Sequence, residues 1–153
     1  MHVGVIGAGL MGHGMAANLL KHGHKVSVIA HRNRGPIDDL VAKGAVEAKS
    51  LAEMAEADVI LLCLTTSKVV VETLTALMPH LRAGQIILDS GTSDPESTRR
   101  LARDLEGHDV AYADIPLTGG PEQAEQGVLG VLCGASDETF ARIEPLLACF
   151  ATT

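Results

Sequence analysis

Six residues near the start of the chain, Gly7-Ala8-Gly9-Leu10-Met11-Gly12, have the types and spacing to hold a diphosphate. They follow an apolar run, Val3 to Ile6, and open a helix-like stretch, Met11 to Lys21. Gly7 permits a tight turn. Gly9 lacks a Cβ, so its backbone can come close to phosphates. Gly12 lets the helix pack close to the strand. The first N–H groups of a helix have no partner within it, and together with the helix dipole they favour an anion. A βα turn that binds nothing would use similar glycines. A dinucleotide is favoured by the strand before the turn, the helix after it, and a second strand, Lys25 to Ala30, at the expected distance.

The second strand bears on which dinucleotide. An acid at its end would bind the adenine ribose hydroxyls and repel a 2′-phosphate. Here the strand ends Val28-Ile29-Ala30, and His31-Arg32-Asn33-Arg34 follows. Arg32, with His31 or Arg34, would pair with a 2′-phosphate in bidentate fashion. The plainer alternative is a solvated basic loop. NADP is expected ahead of NAD, with NAD the second choice.

Alternating elements must position these residues. Strands are expected at His2–Gly7, Lys25–Ala30, Val59–Leu64, Gln85–Asp89, Asp109–Asp114 and Leu129–Gly134, with a minor one at Ala45–Glu47. Helices are expected at Leu10–Lys21, Pro36–Lys43, Ser50–Glu56, Lys68–Met78, Pro95–Leu105, Glu122–Gln126 and Asp137–Ala148. Gly23, Gly44, Gly84 and Gly107 each follow a helical stretch, as C-terminal glycines should. Pro95 suits a first helical position, and Ser136 before Asp137-Glu138 reads as an N-cap. His22 and His24 flank Gly23 and are expected to help close the first helix. The pattern is a doubly wound α/β domain that binds ligands at the carboxyl ends of its strands.

Composition narrows the class. With 153 residues and 46% hydrophobic content, the chain reads as one domain with a real core. One Tyr, two Phe and no Trp leave that core aliphatic, which suits a parallel sheet covered on both faces. A net charge of -7 argues against a nucleic-acid surface. No run of 18 apolar residues exists, so no membrane span is expected, and an N-terminus leading straight into a strand argues against a secretory signal. Cys63, Cys133 and Cys149 form no metal or redox spacing. Cys63 and Cys133 fall in apolar runs and are expected to be buried, reduced thiols of a cytoplasmic protein. No metal site is expected.

The stretch Val5-Ile6-Gly7-Ala8-Gly9-Leu10-Met11-Gly12-His13-Gly14-Met15-Ala16-Ala17-Asn18-Leu19 resembles the opening signature of the β-hydroxyacid dehydrogenases. That family includes 3-hydroxyisobutyrate dehydrogenase and 6-phosphogluconate dehydrogenase. Ala8 departs from its usual Leu. Asp114-Ile115-Pro116-Leu117-Thr118-Gly119-Gly120 is similar to the family's substrate loop, with Thr118 in place of Ser. Leu88-Asp89-Ser90-Gly91-Thr92 is similar to the stretch that approaches the nicotinamide, with Gly91 at the Ser position and Thr92 retained. Leu64-Thr65-Thr66 falls at the cofactor-ribose position, Thr65 standing where Pro is common. The resemblance implies a Rossmann-type fold and a nicotinamide-dependent oxidoreductase. It implies cofactor contacts from Gly7, Ala8, Gly9, Leu10, Met11, Ala30, His31, Arg32, Leu64, Thr65, Thr66 and Thr92. A small carboxylate substrate would meet Thr118, Gly119 and Gly120.

Each hydroxyl has a simpler role open to it. Thr118 and the glycines after it would also suit a capped helix start. Thr92 would help start the helix at Pro95, and Thr65, Thr66 and Ser67 would cap the helix near Lys68. The family's catalytic lysine, in a Gly-x-x-x-Lys pattern, falls beyond Thr153, as does its C-terminal helical domain. No catalytic residue is therefore expected within the chain, which should bind NADP(H) and turn over poorly alone. Self-association is expected through the face that domain would cover. An imine reductase-type nucleotide domain and a non-catalytic NADP-binding module are the competing readings.

Overall fold

The computed structural model describes all 153 residues. Six strands form one sheet: β1 (His2–Ile6), β2 (Lys25–Ile29), β3 (Val46–Ala48), β4 (Val59–Leu62), β5 (Ile86–Asp89) and β6 (Ala111–Asp114). Their order is β3-β2-β1-β4-β5-β6 and every pairing is parallel. Helices α1 (Leu10–Lys21), α2 (Gly35–Ala42), α3 (Leu51–Met54), α4 (Ser67–Leu77), α5 (Pro95–Glu106), α6 (Pro121–Gln126) and α7 (Asp137–Leu147) complete the alternation. The chain runs outward from β1 in one direction, then restarts at β4 on its other side. That reversal opens a crevice at the carboxyl ends of β1 and β4.

The sheet is buried on both faces because its strands are apolar at nearly every position. Val3, Val5, Val28, Leu61 and Leu88 join one core with Met15 and Leu19 of α1 and Ile143 of α7. Their strand neighbours Ile60, Leu62 and Ile87 join a second core with Met54, Leu74 and Leu101. The period-two alternation of Cβ directions divides the strand residues between the two layers. The mostly parallel, doubly wound single domain matches the expectation, and no helix is long and apolar enough to cross a membrane.

Two expectations change. The run Leu129–Gly134 is not a strand of the main sheet. Only Gly130–Val131 pairs as β8, antiparallel to β7 (Leu117–Thr118), in a separate two-stranded sheet. Its backbone is shared among partners: the Leu129 N–H donates to Phe150 O, the Val131 N–H to Thr153 O, and Gly134 bridges Asp114. The second change concerns cysteine. Cys63 lies just past β4 and Cys133 just past β8, both only partly buried, whereas Cys149 is buried. All three are free thiols.

Candidate cofactor site

The turn from β1 into α1 lies at the crevice. Gly7 has φ of 97°, a left-handed conformation that favours glycine, and a Cβ there would overlap the Cys63 carbonyl oxygen at the end of β4. A Cβ on Gly12 would overlap the Gly7 carbonyl oxygen, so the helix sits directly on the turn. Gly9 differs: a Cβ there would meet nothing within 4 Å. Gly9 is the N-cap of α1, no side chain caps it, and the first turn carries no acid. The first helical donors, around exposed Leu10 and half-buried Met11, thus face open space beside a positive dipole end. An uncapped helix start of this kind favours an anion.

Two further loops close on the same edge. Thr66 caps α4, its Oγ1 accepting from the Val69 N–H at 3.2 Å, while Thr65 is exposed. The Asp94 N–H donates to Ser67 Oγ at 3.0 Å, tying the loop after β5 to the start of α4. A Cβ on Gly91 would stand 3.3 Å from the Leu64 carbonyl oxygen, so glycine lets these two loops touch. The cap of α5 is Asp94, whose Oδ2 accepts from the Ser97 N–H at 2.9 Å. Thr92 is therefore not needed to start that helix and stands exposed.

Asp89 organises this loop. It is fully buried, and its carboxyl accepts from the Gly91 N–H (2.9 Å), Ser93 Oγ (2.8 Å) and the Tyr112 hydroxyl (2.8 Å). Burial, then the charge of Asp89, pushes the Tyr112 phenol up and keeps it a donor. The only signal in the sequence was an acid closing an otherwise apolar strand. A buried acid needs partners, and they came from 2, 4 and 23 residues away.

Past the end of β2, Ala30 is half-buried while His31 and Arg32 are exposed and make no ion pair. Arg34 is not available as the sequence alone suggested. Its guanidinium donates to both Glu47 oxygens at 3.0 Å and to Asp38 at 3.1 Å. His13 on α1 meets Asp39 on α2 at 2.5 Å, and Lys43 bonds the same carboxyl. His22 does close α1: its Nδ1 pairs with Asn18 O at 2.8 Å.

The loop at Thr118-Gly119-Gly120 leads into α6, which packs against Gly14 and Asn18 of α1. Thr118 lies over Gly130, where a Cβ would overlap its Oγ1. Gly119 has φ of 114°. The Gly120 N–H, which the sequence offers to a carboxylate, instead donates to Gln123 Oε1 at 2.9 Å. Gln123 sits at the third position of α6 and folds back over the helix start, a local arrangement that the Gly120-Pro121-Glu122-Gln123 spacing allows. Gly14 and Asn18 also escaped notice as packing residues. A Cβ on Gly14 would stand 2.6 Å from the Ala124 carbonyl carbon. A glycine inside a helix was the available sign of that close approach.

The family described as the NAD binding domain of 6-phosphogluconate dehydrogenase matches residues 2–153. The chain is 36% identical over 151 residues to a probable mitochondrial 3-hydroxyisobutyrate dehydrogenase of Dictyostelium discoideum, covering 96% of this chain and 47% of that protein. The solved structure of Psf3 in complex with NADP+ and 2-OPP superposes with a TM-score of 0.91 at 31% identity, covering 99% of this chain and 55% of that one. An imine reductase from Pseudomonas sp. is similar at a TM-score of 0.88 and 26% identity, covering 98% and 52%. The chain spans about half the length of the curated relatives it matches.

Proposed function

The chain belongs to the family of the NAD binding domain of 6-phosphogluconate dehydrogenase, and from that premise we propose that residues 1–153 form the cofactor domain of an NADP-dependent oxidoreductase. Its reaction moves a hydride between NADP(H) and a small hydroxy acid or semialdehyde. The observation that carries this reading is Gly9: the one glycine of the turn with open space where a Cβ would be, at an uncapped helix start. When bound, the nicotinamide supplies or accepts the hydride.

The chain's own residues have binding and orienting roles. Gly7, Ala8, Gly9, Leu10 and Met11 line the diphosphate cradle. Leu64, Thr65 and Thr66 flank the nicotinamide ribose, with Thr66 Oγ1 already accepting from Val69. Thr92 stands on the loop braced by Asp89 and faces the nicotinamide end. Ala30 leaves room at the adenine ribose, and His31 and Arg32 supply positive charge for a 2′-phosphate. Thr118 and Gly119 orient a carboxylate; Gly120 joins them only when Gln123 swings away from its N–H. Proton transfer to the substrate oxygen is assigned to a group outside residues 1–153, in the length of the relatives that this chain does not cover.

The same proposal includes a reducing, cytoplasmic setting, supported by three free thiols. It also includes self-association through apolar surface that a further domain would cover, with Leu132, 70% accessible, an exposed apolar side chain outside the cradle. Fluorescence titration with NADPH and NADH, with Arg32→Ala as control, tests the cofactor assignment. NADPH should bind more tightly, and Arg32→Ala should weaken NADPH alone. Equal affinities would remove the 2′-phosphate argument.

A further inference from the structure

Arg34 stands two residues after Arg32 in the basic loop that follows β2, yet its guanidinium is committed elsewhere. Nη1 donates to Glu47 Oε1 and Nη2 to Glu47 Oε2, both at 3.0 Å. Nη2 also reaches Asp38 Oδ1 at 3.1 Å. The two-pronged Arg–carboxylate pair is the strongest geometry open to such groups. Glu47 lies on the edge strand β3, in register with Val28, the residue before the last of β2. Adjacent strands run about 4.8 Å apart. A carboxylate thus stands beside the very strand whose end carries Ala30-His31-Arg32, and Arg34 neutralises it. The hydrogen bond from Arg34 holds the Glu47 carboxyl below the usual carboxylate range.

The geometry points to Glu47 as a specificity-determining residue: its carboxylate withholds Arg34 from the 2′-phosphate subsite and so sets how strongly the site prefers NADPH over NADH. This inference rests on the cofactor reading above. With the pair intact, a 2′-phosphate meets Arg32 and His31 only. Removing the carboxylate leaves Arg34 only its single exposed bond to Asp38, and the guanidinium can then turn toward Arg32. Removing Arg34 leaves an unneutralised carboxylate near the same phosphate, and like charges repel. The two substitutions therefore move cofactor preference in opposite directions. Had Arg34 only braced the loop that carries Arg32, either substitution would loosen that loop and both would weaken NADPH.

The test is a fluorescence titration of the 153-residue chain with NADPH and NADH, for the parent, Glu47→Gln, Arg34→Ala and the double variant. NADH lacks only the 2′-phosphate, so its affinity reports whether each variant keeps the fold of the site. Glu47→Gln should tighten NADPH by about fivefold, Arg34→Ala should weaken it by about fivefold, and NADH should change by less than about twofold in each. The double variant should fall between the two. The gain in Glu47→Gln should shrink as salt rises, because it is a charge interaction near the surface. Shifts of the same sign in the two single variants, or no shift in either, would overturn the inference while leaving the parent's preference for NADPH standing. A parent with no such preference would instead remove the cofactor reading and this inference together.

Discussion

The side-chain amide of Asn18 donates to the carbonyl oxygen of Ala124 at 2.9 Å, joining residues 106 apart in the chain. The same nitrogen meets Gly14 O at 2.9 Å and Glu125 O at 3.1 Å, and Asn18 is buried. The α6 carbonyls it reaches belong to a last helical turn, where carbonyls lack the partners a helix interior supplies. One helix therefore begins at the glycine turn and also anchors the helix that follows Thr118-Gly119-Gly120. Asn18→Leu keeps the volume but removes the donor, leaving Glu125 O without the amide and Ala124 O with only the 3.3 Å bond from the Gly127 N–H. Urea unfolding should show a loss of about 2 kcal/mol. A loss below about 0.5 kcal/mol would mean that the amide anchors nothing.

Asp89 and Asp114 face each other in register across β5 and β6. Burial, then the charge of Asp89, raises the Asp114 carboxyl above its ordinary value. A group raised in the folded state stabilises the fold while protonated, and that contribution is lost as pH rises through its folded-state value. At neutral pH the ionised Asp114 thus costs stability. Asp114→Asn should raise Tm at neutral pH, and the gain should vanish near roughly pH 3, where the carboxyl is protonated in both states. Thermal melts across that range read the difference. A gain that persists in acid would assign the effect to hydrogen bonding rather than charge.

The parallel sheet was legible because Val3–Ile6, Val59–Leu62 and Ile86–Leu88 are short, apolar runs bounded by turn residues, a pattern read without tertiary information. The glycine turn was legible for a related reason: its conformation is set locally. What escaped depends on distant partners. Nothing near Asp89 in sequence announces Tyr112, and nothing near Arg34 announces Glu47 across the strand pair. The Leu129–Gly134 run has strand composition, but its pairing is decided by where Phe150 and Thr153 lie. Propensity names an extended segment; tertiary contacts choose its partner.

Cys63 lies beneath the turn, its carbonyl against Gly7 and its Cβ 3.4 Å from where a Cβ on Gly12 would stand. Burial raises its thiol above the ordinary cysteine value and outweighs the neighbours that lower it. The thiolate fraction at neutral pH is therefore small, and alkylation should be slower than that of free cysteine. Mass spectrometry after timed iodoacetamide treatment should show Cys63 labelling that accelerates with pH and slows further under saturating NADPH. Labelling faster than free cysteine would contradict the burial argument.

Gly9 and Gly12 separate binding from folding. An added methyl on Gly12 overlaps the Gly7 carbonyl oxygen, which is backbone and cannot swing aside. Gly12→Ala must push α1 off the sheet, so it should lose about 3 kcal/mol of stability along with cofactor binding. An added methyl on Gly9 touches no protein atom, and the residue is extended, with φ of -73°, which alanine adopts freely. Gly9→Ala should therefore keep the parent's Tm to within about a degree, since it alters only an exposed turn. The methyl nevertheless fills the space over the helix start, where a diphosphate must approach the backbone donors. Affinity for NADPH and NADH should then fall by about tenfold or more, equally for both, because each carries the same diphosphate. An unchanged affinity in a stable Gly9→Ala protein would place the diphosphate somewhere other than this turn.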